Sequence, residues 1–467
     1  MDKDNSVHLL SNHQFNSAKC IPRQDEGIIL TESTLRKVTG LVRTGQDGAR
    51  ATAKYYSKAG KEERKLVTAS FYTGITGGIL WYVLIYYWEF QSFTSQEIGL
   101  MGSIGFAVGS IGYLVGGYLA DKLGRRRVTL LGLASTAIGL LLFLFEKNLA
   151  IYSVAYAFTS LGGSLAWPSM TTLLAAKTSP SNMKFLYGVQ GFVNQIGLTI
   201  ATFLGIFGPS FLDAQEVVEL SSGYLLVFGV TAICAFVPLL YVARVTETER
   251  KPERLSIHFD KRMRKILLVY SFQNALIGAG AALVIPWLPI VFKQGLGATD
   301  NWVAFIITLS NIVIAVGWFI IPHFANLRGS VALITVCQIA SVVFLVLIPH
   351  SPILLAVALL YTLRSFLMLV PSPVLSAYVM NIVDERIRAS FLSLSQLAWE
   401  LAFSGSYFVA GYLWANDYSK VEPFYYAGAL YVVASLIFYF YFRNVKEATD
   451  TVSSSKANEK KTGAGAS

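Results

Sequence analysis

The feature that most constrains this chain is a series of apolar runs, beginning at Leu66, that approach the roughly 20 residues a helix needs to cross a bilayer core. Hydrocarbon offers no hydrogen-bond partner to an unpaired backbone group, so each run is predicted to form a helix. The predicted spans are twelve: 67–90, 98–120, 128–145, 150–176, 185–207, 223–243, 266–292, 302–322, 330–349, 353–380, 389–413 and 423–443. The chain is therefore predicted to be an all-α membrane protein.

Composition agrees with a membrane protein. Of the 467 residues, 54% are hydrophobic and 14% are charged, and this is more apolar surface than one soluble core can bury. The net charge of +10 is spread between long apolar runs rather than clustered on a soluble face, which argues against nucleic acid as a partner. Cys20, Cys234 and Cys337 are too scattered for a disulfide framework or a metal site, and we predict no metal or other cofactor.

The distribution of Lys and Arg tests this topology independently, because basic residues collect in cytoplasmic loops. Of the 38 basic residues, 34 fall in the tails and alternate loops that the map places in the cytoplasm. Lys147, Lys293 and Lys420 lie on the other side, and Arg364 lies inside a span. We therefore predict a multi-pass protein of the cell membrane with both termini in the cytoplasm.

Five regions follow from the map. They are a basic cytoplasmic tail (1–65), a first six-helix bundle (66–243), a charged cytoplasmic loop (244–265), a second six-helix bundle (266–443) and a cytoplasmic C-terminal tail (444–467). Within the first tail, Ser33 to Lys65 is interpreted either as a basic helix on anionic lipid or as a flexible solvated segment.

Short matches between the two bundles indicate a 6+6 pseudo-repeat. The matched pairs, at offsets of 201, 205 and 206, are Ser70-Phe71 with Ser271-Phe272, Ala120-Asp121 with Ala325-Asn326, and Phe185-Leu186 with Phe391-Leu392. Nearly constant offsets in the same order favour a duplication over chance. Repeats of this kind place a substrate site near the bilayer midplane between the halves.

The loop after the second predicted span reads Gly117-Tyr118-Leu119-Ala120-Asp121-Lys122-Leu123-Gly124-Arg125-Arg126-Arg127. It resembles, at every defined position, the signature of the major facilitator superfamily, in which Gly, Leu, Ala, Asp, a basic residue, Gly and two basic residues recur. The resemblance covers about residues 66–443 and implies the fold of that superfamily, two six-helix halves that alternate access to a central site.

The resemblance also implies a conformational latch built from Gly117, Asp121, Gly124, Arg125 and Arg126. In that family the aspartate holds the outward-facing state by binding the start of the predicted helix 389–413, here near Arg388. The alternative is that Lys122 and the three arginines only determine topology. The second half has Asn326 in place of the aspartate, so its copy of the loop lacks the acid.

Five glycines of the predicted helix 98–120 recur at steps of three and four, which places them on one stripe. They are Gly102, Gly105, Gly109, Gly112 and Gly116. Small residues on a stripe permit close approach of another helix. The family architecture implies that this partner is helix 389–413, across the interface that rocks during transport. The alternative is a static packing seam.

Two intramembrane charges are the sharpest functional candidates, because a charge in hydrocarbon costs several kcal/mol unless it is paired or hydrated. Arg364 lies near the middle of the predicted helix 353–380, and Glu400 lies about midway along 389–413. They form an ion pair or face the central cavity separately. If desolvated, Glu400 is a candidate proton carrier.

Uncharged amides at membrane depth are further substrate candidates, although such groups also serve as hydrogen-bonded contacts between helices. They are Asn194, Gln195, Asn311, Gln273 and Asn274. The aromatic run Trp81, Tyr82, Tyr86, Tyr87 and Trp88 is predicted to be mostly an interfacial belt. Prolines in cavity-lining helices are predicted to permit kinks: Pro168, Pro286, Pro289, Pro371 and Pro373.

Together these features predict a secondary active transporter that moves a small solute by alternating access, coupled to protons and working as a monomer in membrane lipid. A passive uniporter, or a transporter-like sensor that signals through the N-terminal tail, is the alternative. No glycine-rich phosphate loop is present and no span carries metal-ligand spacing, so we predict that the chain is not an enzyme. Its local patterns, such as Pro371-Ser372-Pro373, resemble prokaryotic family members whose substrates vary.

Overall fold

A computed structural model describes residues 56–57, 59–145, 147–179, 183–247, 260–320, 330–369, 371–383 and 387–445, all of which belong to one compact unit, Gly45–Ser467. Most of the predicted N-terminal tail, the middle of the 244–265 loop and the end of the C-terminal tail lie outside the described residues. The repeat match at Ala325-Asn326 also lies outside them, as does the side chain of Asp121.

Every regular element of the described residues is helical. The helices are α1 Lys61–Phe90, α2 Ser95–Leu123, α3 Arg125–Leu142, α4 Leu149–Ala176, α5 Met183–Ala214, α6 Leu220–Val242, α7 Lys261–Gly295, α8 Asp300–Ile320, α9 Ser330–Leu347, α10 Leu354–Leu369, α11 Ser372–Ile382, α12 Arg388–Trp414 and α13 Glu422–Phe442. A helix forms in each of the twelve predicted intervals.

Ten helices among the described residues are long and apolar enough to cross a membrane. The predicted spans 128–145 and 389–413 form as α3 and α12 but are not among these ten. The reason is polar content, because α3 begins with three arginines and α12 carries Arg388, Gln396, Glu400 and several serines. The count of twelve spans therefore stays a prediction.

Prolines interrupt two of the helices. α7 contains a 3₁₀ turn at Ile285–Trp287 and a π turn at Val291–Gly295, and Pro286 and Pro289 lie in this irregular stretch. The predicted helix 353–380 is divided where Pro371 separates α10 from α11. Proline lacks the backbone N–H that continues a helix, which accounts for both interruptions.

The two halves of the chain, residues 61–247 and 260–445, share a hydrophobic core at one end only. One cluster of buried apolar side chains draws from both halves, including Tyr86, Tyr152, Trp287 and Trp414. We call this the closed end; it carries the loops 91–94, 296–299 and 415–421. The opposite, open end carries Gly124 and the ends of α6 and α13.

At the open end each half has a cluster of its own. Leu66, Leu174 and Val245 belong to a cluster drawn only from the first half, whereas Ile266 and Phe442 belong to one drawn only from the second. The two halves are therefore joined by apolar packing at the closed end and are packed separately at the open end.

Candidate functional site

A cavity of about 370 Å³ lies between α1, α2, α4 and α12, about midway along these helices. Its size is within the range of small-molecule sites. Residues along its wall include Trp81 of α1, Phe106 and Tyr113 of α2, Tyr156 and Ser160 of α4, and Trp399 and Glu400 of α12. The first half and the second half of the chain both contribute residues to this wall.

Glu400 brings a carboxylate to this cavity. Its side chain is 6% exposed, and its Oε1 accepts a hydrogen bond from Gln396 Nε2, one turn earlier on α12, at 3.2 Å. Of the described residues that line the cavity, Glu400 is the one with an acidic side chain. The cavity therefore presents a single acid to whatever enters it.

Aromatic rings close the cavity toward the closed end. Phe106 and Phe403 have ring centroids 4.3 Å apart, and Trp81 lies 6.0 Å from each of them. Phe403 stacks on Trp399 at 4.7 Å, so one cluster joins α1, α2 and α12. The rings form a plug between the cavity and the closed end.

The prediction of an interfacial aromatic belt was wrong for most of its residues. Tyr86, Tyr87 and Trp88 are each 1% exposed, because they pack inside the bundle against rings of neighbouring helices. Tyr87 lies 4.7 Å from Phe228 of α6. Trp81 lines the cavity instead. These side chains are buried because of how the helices pack, and a run of aromatic residues in the sequence does not determine that packing.

Arg364 lies apart from Glu400. Its Nη2 donates a hydrogen bond to the Tyr431 hydroxyl at 3.0 Å, and its guanidinium lies over the Tyr431 ring at 5.7 Å. The side chain is 5% exposed, and its Nε has no hydrogen-bond partner among the described residues. The ion-pair alternative is therefore wrong for this conformation, and of the two charges only Glu400 lines the cavity.

The five candidate amides divide between helix contacts and buried polar groups. Asn194 Nδ2 donates to the Ser70 carbonyl at 2.9 Å, so it joins α5 to α1 as the packing alternative predicts. Asn311 Oδ1 accepts from Tyr82 across the two halves at 3.5 Å. Gln195 and Gln273 are buried and Asn274 is half-buried, and these three residues do not line the cavity described above.

The glycine stripe packs mainly on α4. A Cβ at Gly109 would lie 3.3 Å from Ser160 Cβ, and one at Gly116 would lie 3.2 Å from a Leu165 methyl carbon. Gly105 faces Tyr156 and Gly112 faces Ser164, both on α4, whereas Gly102 alone of the five faces α12, at Tyr407. The expectation that the stripe faces helix 389–413 was therefore wrong for four of its members.

The contact between α2 and α12 lies on a neighbouring face, near the closed end. Ser95 Oγ donates to the Gly411 carbonyl at 2.8 Å, and Ser95 N donates to Asn416 Oδ1 at 2.6 Å. Gly99 meets Gly411 so closely that a Cβ on Gly99 would lie 2.9 Å from the Gly411 Cα. Farther along α2, Leu114 and Tyr118 are exposed, at 52% and 58%. The two helices are thus in contact at the closed end and lead to exposed surface at the open end.

A second polar cluster joins the halves at the closed end and was missed by the sequence analysis. Asp300, at the start of α8, accepts hydrogen bonds from Tyr86 of α1 and Ser210 of α5. Its carboxylate also lies 2.9 Å from Lys293 Nζ, and Lys293 lies over the Tyr86 ring at 4.6 Å. The sequence shows Lys293 and Asp300 on either side of one short loop. It does not show which residues of the first half contact them.

The family-signature loop is organised around Glu247, which the sequence analysis also missed. Gly124 has φ +93°, a left-handed conformation that glycine adopts without strain. Glu247 Oε1 and Oε2 accept from the backbone N–H groups of Arg125 and Arg126, at 3.1 and 3.0 Å. A carboxylate is favourable at these unpaired donors at a helix start. A Cβ on Gly117 would meet nothing within 4 Å, so close packing does not require glycine there.

Comparison with known proteins agrees with this arrangement. The model of the family described as the Major Facilitator Superfamily matches residues 66–404. Multidrug resistance protein MdtH of Proteus mirabilis is 25% identical over 338 residues, 70% of this chain and 81% of the relative. The voltage-gated purine nucleotide uniporter SLC17A9 of Mus musculus is 26% identical over 227 residues, 44% of this chain and 49% of the relative. The chain thus spans about half the length of the mouse relative.

Two solved structures share the fold. The human organic anion transporter MFSD10 has a TM-score of 0.59 at 17% identity, covering 80% of this chain and 99% of that structure. A variant of the nucleoside transporter NupG has a TM-score of 0.64 at 14% identity, covering 81% and 99%. At these identities the likeness concerns the fold alone.

Proposed function

The chain belongs to the Major Facilitator Superfamily, and from that membership we propose that it is a secondary active transporter moving a small solute by alternating access, coupled to protons. It is a multi-pass membrane protein and a membrane transporter, not an enzyme. The bacterial relative that aligns over 70% of this chain is named a multidrug resistance protein, which supports a small organic solute.

The observation that carries the proposal is the cavity between the halves, shut at one end and leading toward the other. The aromatic plug around Phe106 and Phe403 and the shared core lie on its closed side. On the other side the halves have separate cores. A transporter of this class must close one end of the cavity while the other end opens. The difference between the two ends of this protein supports a conformation of that kind.

The positive-inside rule supports an orientation. Lys122, Arg244 and Lys265 lie at or near helix ends of the open end, and basic residues collect on the cytoplasmic side. We therefore propose that the open end faces the cytoplasm, that this conformation is inward-facing, and that both termini are cytoplasmic. This orientation rests on the distribution of basic residues alone.

We also propose that α3 and α12 cross the membrane, which gives twelve spans in two halves of six. α3 packs within the first half, where a Cβ on its Gly132 would lie 2.6 Å from the Gly162 carbonyl of α4. α12 carries Glu400 to the cavity, and its outer face exposes Leu401 at 51%, as a lipid contact requires. The predicted 6+6 pseudo-repeat accounts for this arrangement.

We assign proton coupling to Glu400, because it is the one carboxylic acid among the described residues of the cavity wall and its hydrogen-bond donor is a neutral amide. A carboxylate so placed needs a partner, water or a proton. The alternative is a passive uniporter, in which transport does not require Glu400 to gain or lose a proton. A sensor that signals through the N-terminal tail is the other alternative, and residues 1–55 lie outside the described part of the chain.

The test locks the closed end. In a protein with Cys20, Cys234 and Cys337 replaced, Ser95→Cys and Asn416→Cys are combined and oxidised after reconstitution in liposomes. Alternating access requires this contact to open, so solute uptake should stop on oxidation and return on reduction. The single variants are the controls for the substitutions themselves. Full uptake by the cross-linked protein contradicts alternating access. A reduced protein that binds solute but shows no uptake favours the sensor.

A further inference from the structure

We propose that the cavity selects an amphipathic organic cation, a single positive charge attached to an apolar or aromatic body. The inference rests on the proposed function, because it names the class of solute that this same cavity takes. It is carried by the charge, the aromatic surface and the hydroxyl groups of the cavity wall.

The charge of the cavity favours a cation. Glu400 is 6% exposed, and the hydrogen bond that its carboxylate accepts comes from the neutral Gln396. Arg364, the basic residue that the sequence places inside a predicted span, is bound to Tyr431 and does not line the cavity. A buried carboxylate without a basic partner is costly, and a bound cation removes that cost. An anion in the same space would be repelled by Glu400.

Aromatic faces around the carboxylate strengthen this preference. Trp399 precedes Glu400 on α12, and Trp81 approaches from α1 across the cavity. Tyr113 of α2 and Tyr156 of α4 line the same cavity, where the charge of the Glu400 carboxylate acts on both of their hydroxyl groups. Tryptophan and tyrosine faces attract organic cations, most strongly where water is excluded. The rings also provide apolar surface for the body of the solute.

The remaining wall limits how polar the solute is. Besides the tyrosines, the hydroxyl groups there are those of Thr159, Ser160 and Ser164 of α4, and the cavity volume is about 370 Å³. Ser164 Oγ donates to the Leu161 carbonyl of its own helix at 2.9 Å, so its hydrogen is already used. Among its described residues this wall has no cationic side chain to bind a phosphate or a carboxylate. It fits a small amphipath with one charge better than a polyanion.

The test compares three probes of similar shape on the purified full-length protein in detergent. They are benzyltrimethylammonium, its neutral carbon isostere neopentylbenzene, and the anion 3-phenylpropionate. Binding is measured by titration calorimetry and by the shift of the thermal unfolding temperature. We expect the cation to bind at least tenfold more tightly than either other probe.

Two variants locate the binding. Glu400→Gln should weaken cation binding at least tenfold, whereas Glu422→Gln, an exposed acid at the start of α13, should leave it unchanged. Trp399→Leu should weaken it several-fold. Anion or neutral-probe binding as tight as that of the cation, or no binding of any probe, overturns the inference. The comparison of the three probes on the wild-type protein decides the outcome. A variant that fails to fold therefore leaves the test intact.

Failure here is distinguishable from failure of the proposed function. A protein that transports and is locked by the Ser95–Asn416 cross-link, but prefers the anionic probe, retains the proposed function and loses the cation assignment. A protein that prefers the cation but transports nothing retains the cation site and loses the transporter proposal.

Discussion

The hydroxyl of Tyr86, on α1, donates a hydrogen bond to the carboxylate of Asp300, at the start of α8. These residues come from different halves of the chain, and Lys293 completes the cluster through its ion pair with Asp300 at 2.9 Å. The contact lies at the closed end, where the two halves share one hydrophobic core. It is therefore part of what holds that end shut.

Asp300→Asn should open the closed end. The substitution weakens hydrogen bonds to a charged acceptor, which are worth about 1.5–3 kcal/mol each, so we expect the ratio of open to closed forms to rise about ten- to a hundredfold. Spin labels at the exposed positions Gln215 and Pro352, one in each half, measure the distance distribution by pulsed electron paramagnetic resonance. The distribution should gain a longer component.

Asp213→Asn is the matched control for Asp300. Asp213 Oδ1 accepts from Leu220 N within the first half, at 3.0 Å, so its loss should leave the distance between the halves unchanged. An Asp300→Asn protein with the wild-type distribution would show that the cluster does not hold the closed end.

Glu400→Gln should separate coupling from transport. The amide keeps the shape of the protonated acid, so gradient-driven accumulation should vanish while exchange of solute across the membrane survives. Exchange is measured at a saturating solute concentration, because the substitution is also expected to weaken binding of a cationic solute. The thermal unfolding temperature should change little, because Arg364 binds Tyr431 and is not left unpaired. Uptake into proteoliposomes is measured with and without an imposed pH gradient. A stable variant that still accumulates solute when driven by pH would exclude Glu400 as the proton carrier.

Gly109→Leu should impair transport by filling the cavity beside Ser160. Gly109 lines the cavity and a Cβ there already lies 3.3 Å from Ser160 Cβ, so a leucine forces side chains apart at a cost of about 1–3 kcal/mol. We expect an uptake rate at least tenfold lower, measured at equal protein in liposomes. Val108→Leu, a half-buried position on another face of α2, is the control. Equal rates for the two variants would remove Gly109 from the transport path.

Asp121→Asn should shift the protein toward the inward-facing state, if Asp121 latches the outward-facing one as the family resemblance implies. Insertion into the membrane should be retained, the transport rate should fall, and a cysteine placed at Ser160 should react faster with a reagent added from the cytoplasmic side. Lys122→Gln, which removes the neighbouring charge, tests whether the effect belongs to the acid. Normal transport with unchanged labelling would reject the latch.

The helices of this protein were predictable because the signal for each of them is local. An apolar run near 20 residues long must satisfy its own backbone hydrogen bonds in lipid, and a helix formed in every interval where the sequence showed one. The polar start of α3 and the polar residues of α12 are equally local, which is why those two intervals carry the weaker membrane signal. Glu400 was singled out for the same reason, as a charge inside an apolar run.

The partners of these residues were decided only by the tertiary structure. The glycine spacing identified a stripe suited to close packing, but α4 and α12 both approach α2, and only their positions assign four glycines to α4. Arg364 and Glu400 are an obvious pair in the sequence, yet Arg364 lies beside Tyr431 and Glu400 faces the cavity. Sequence determines which groups a helix carries, because periodicity is a property of one chain segment. Which groups meet depends on the rotation and register of packed helices, which the whole bundle sets at once.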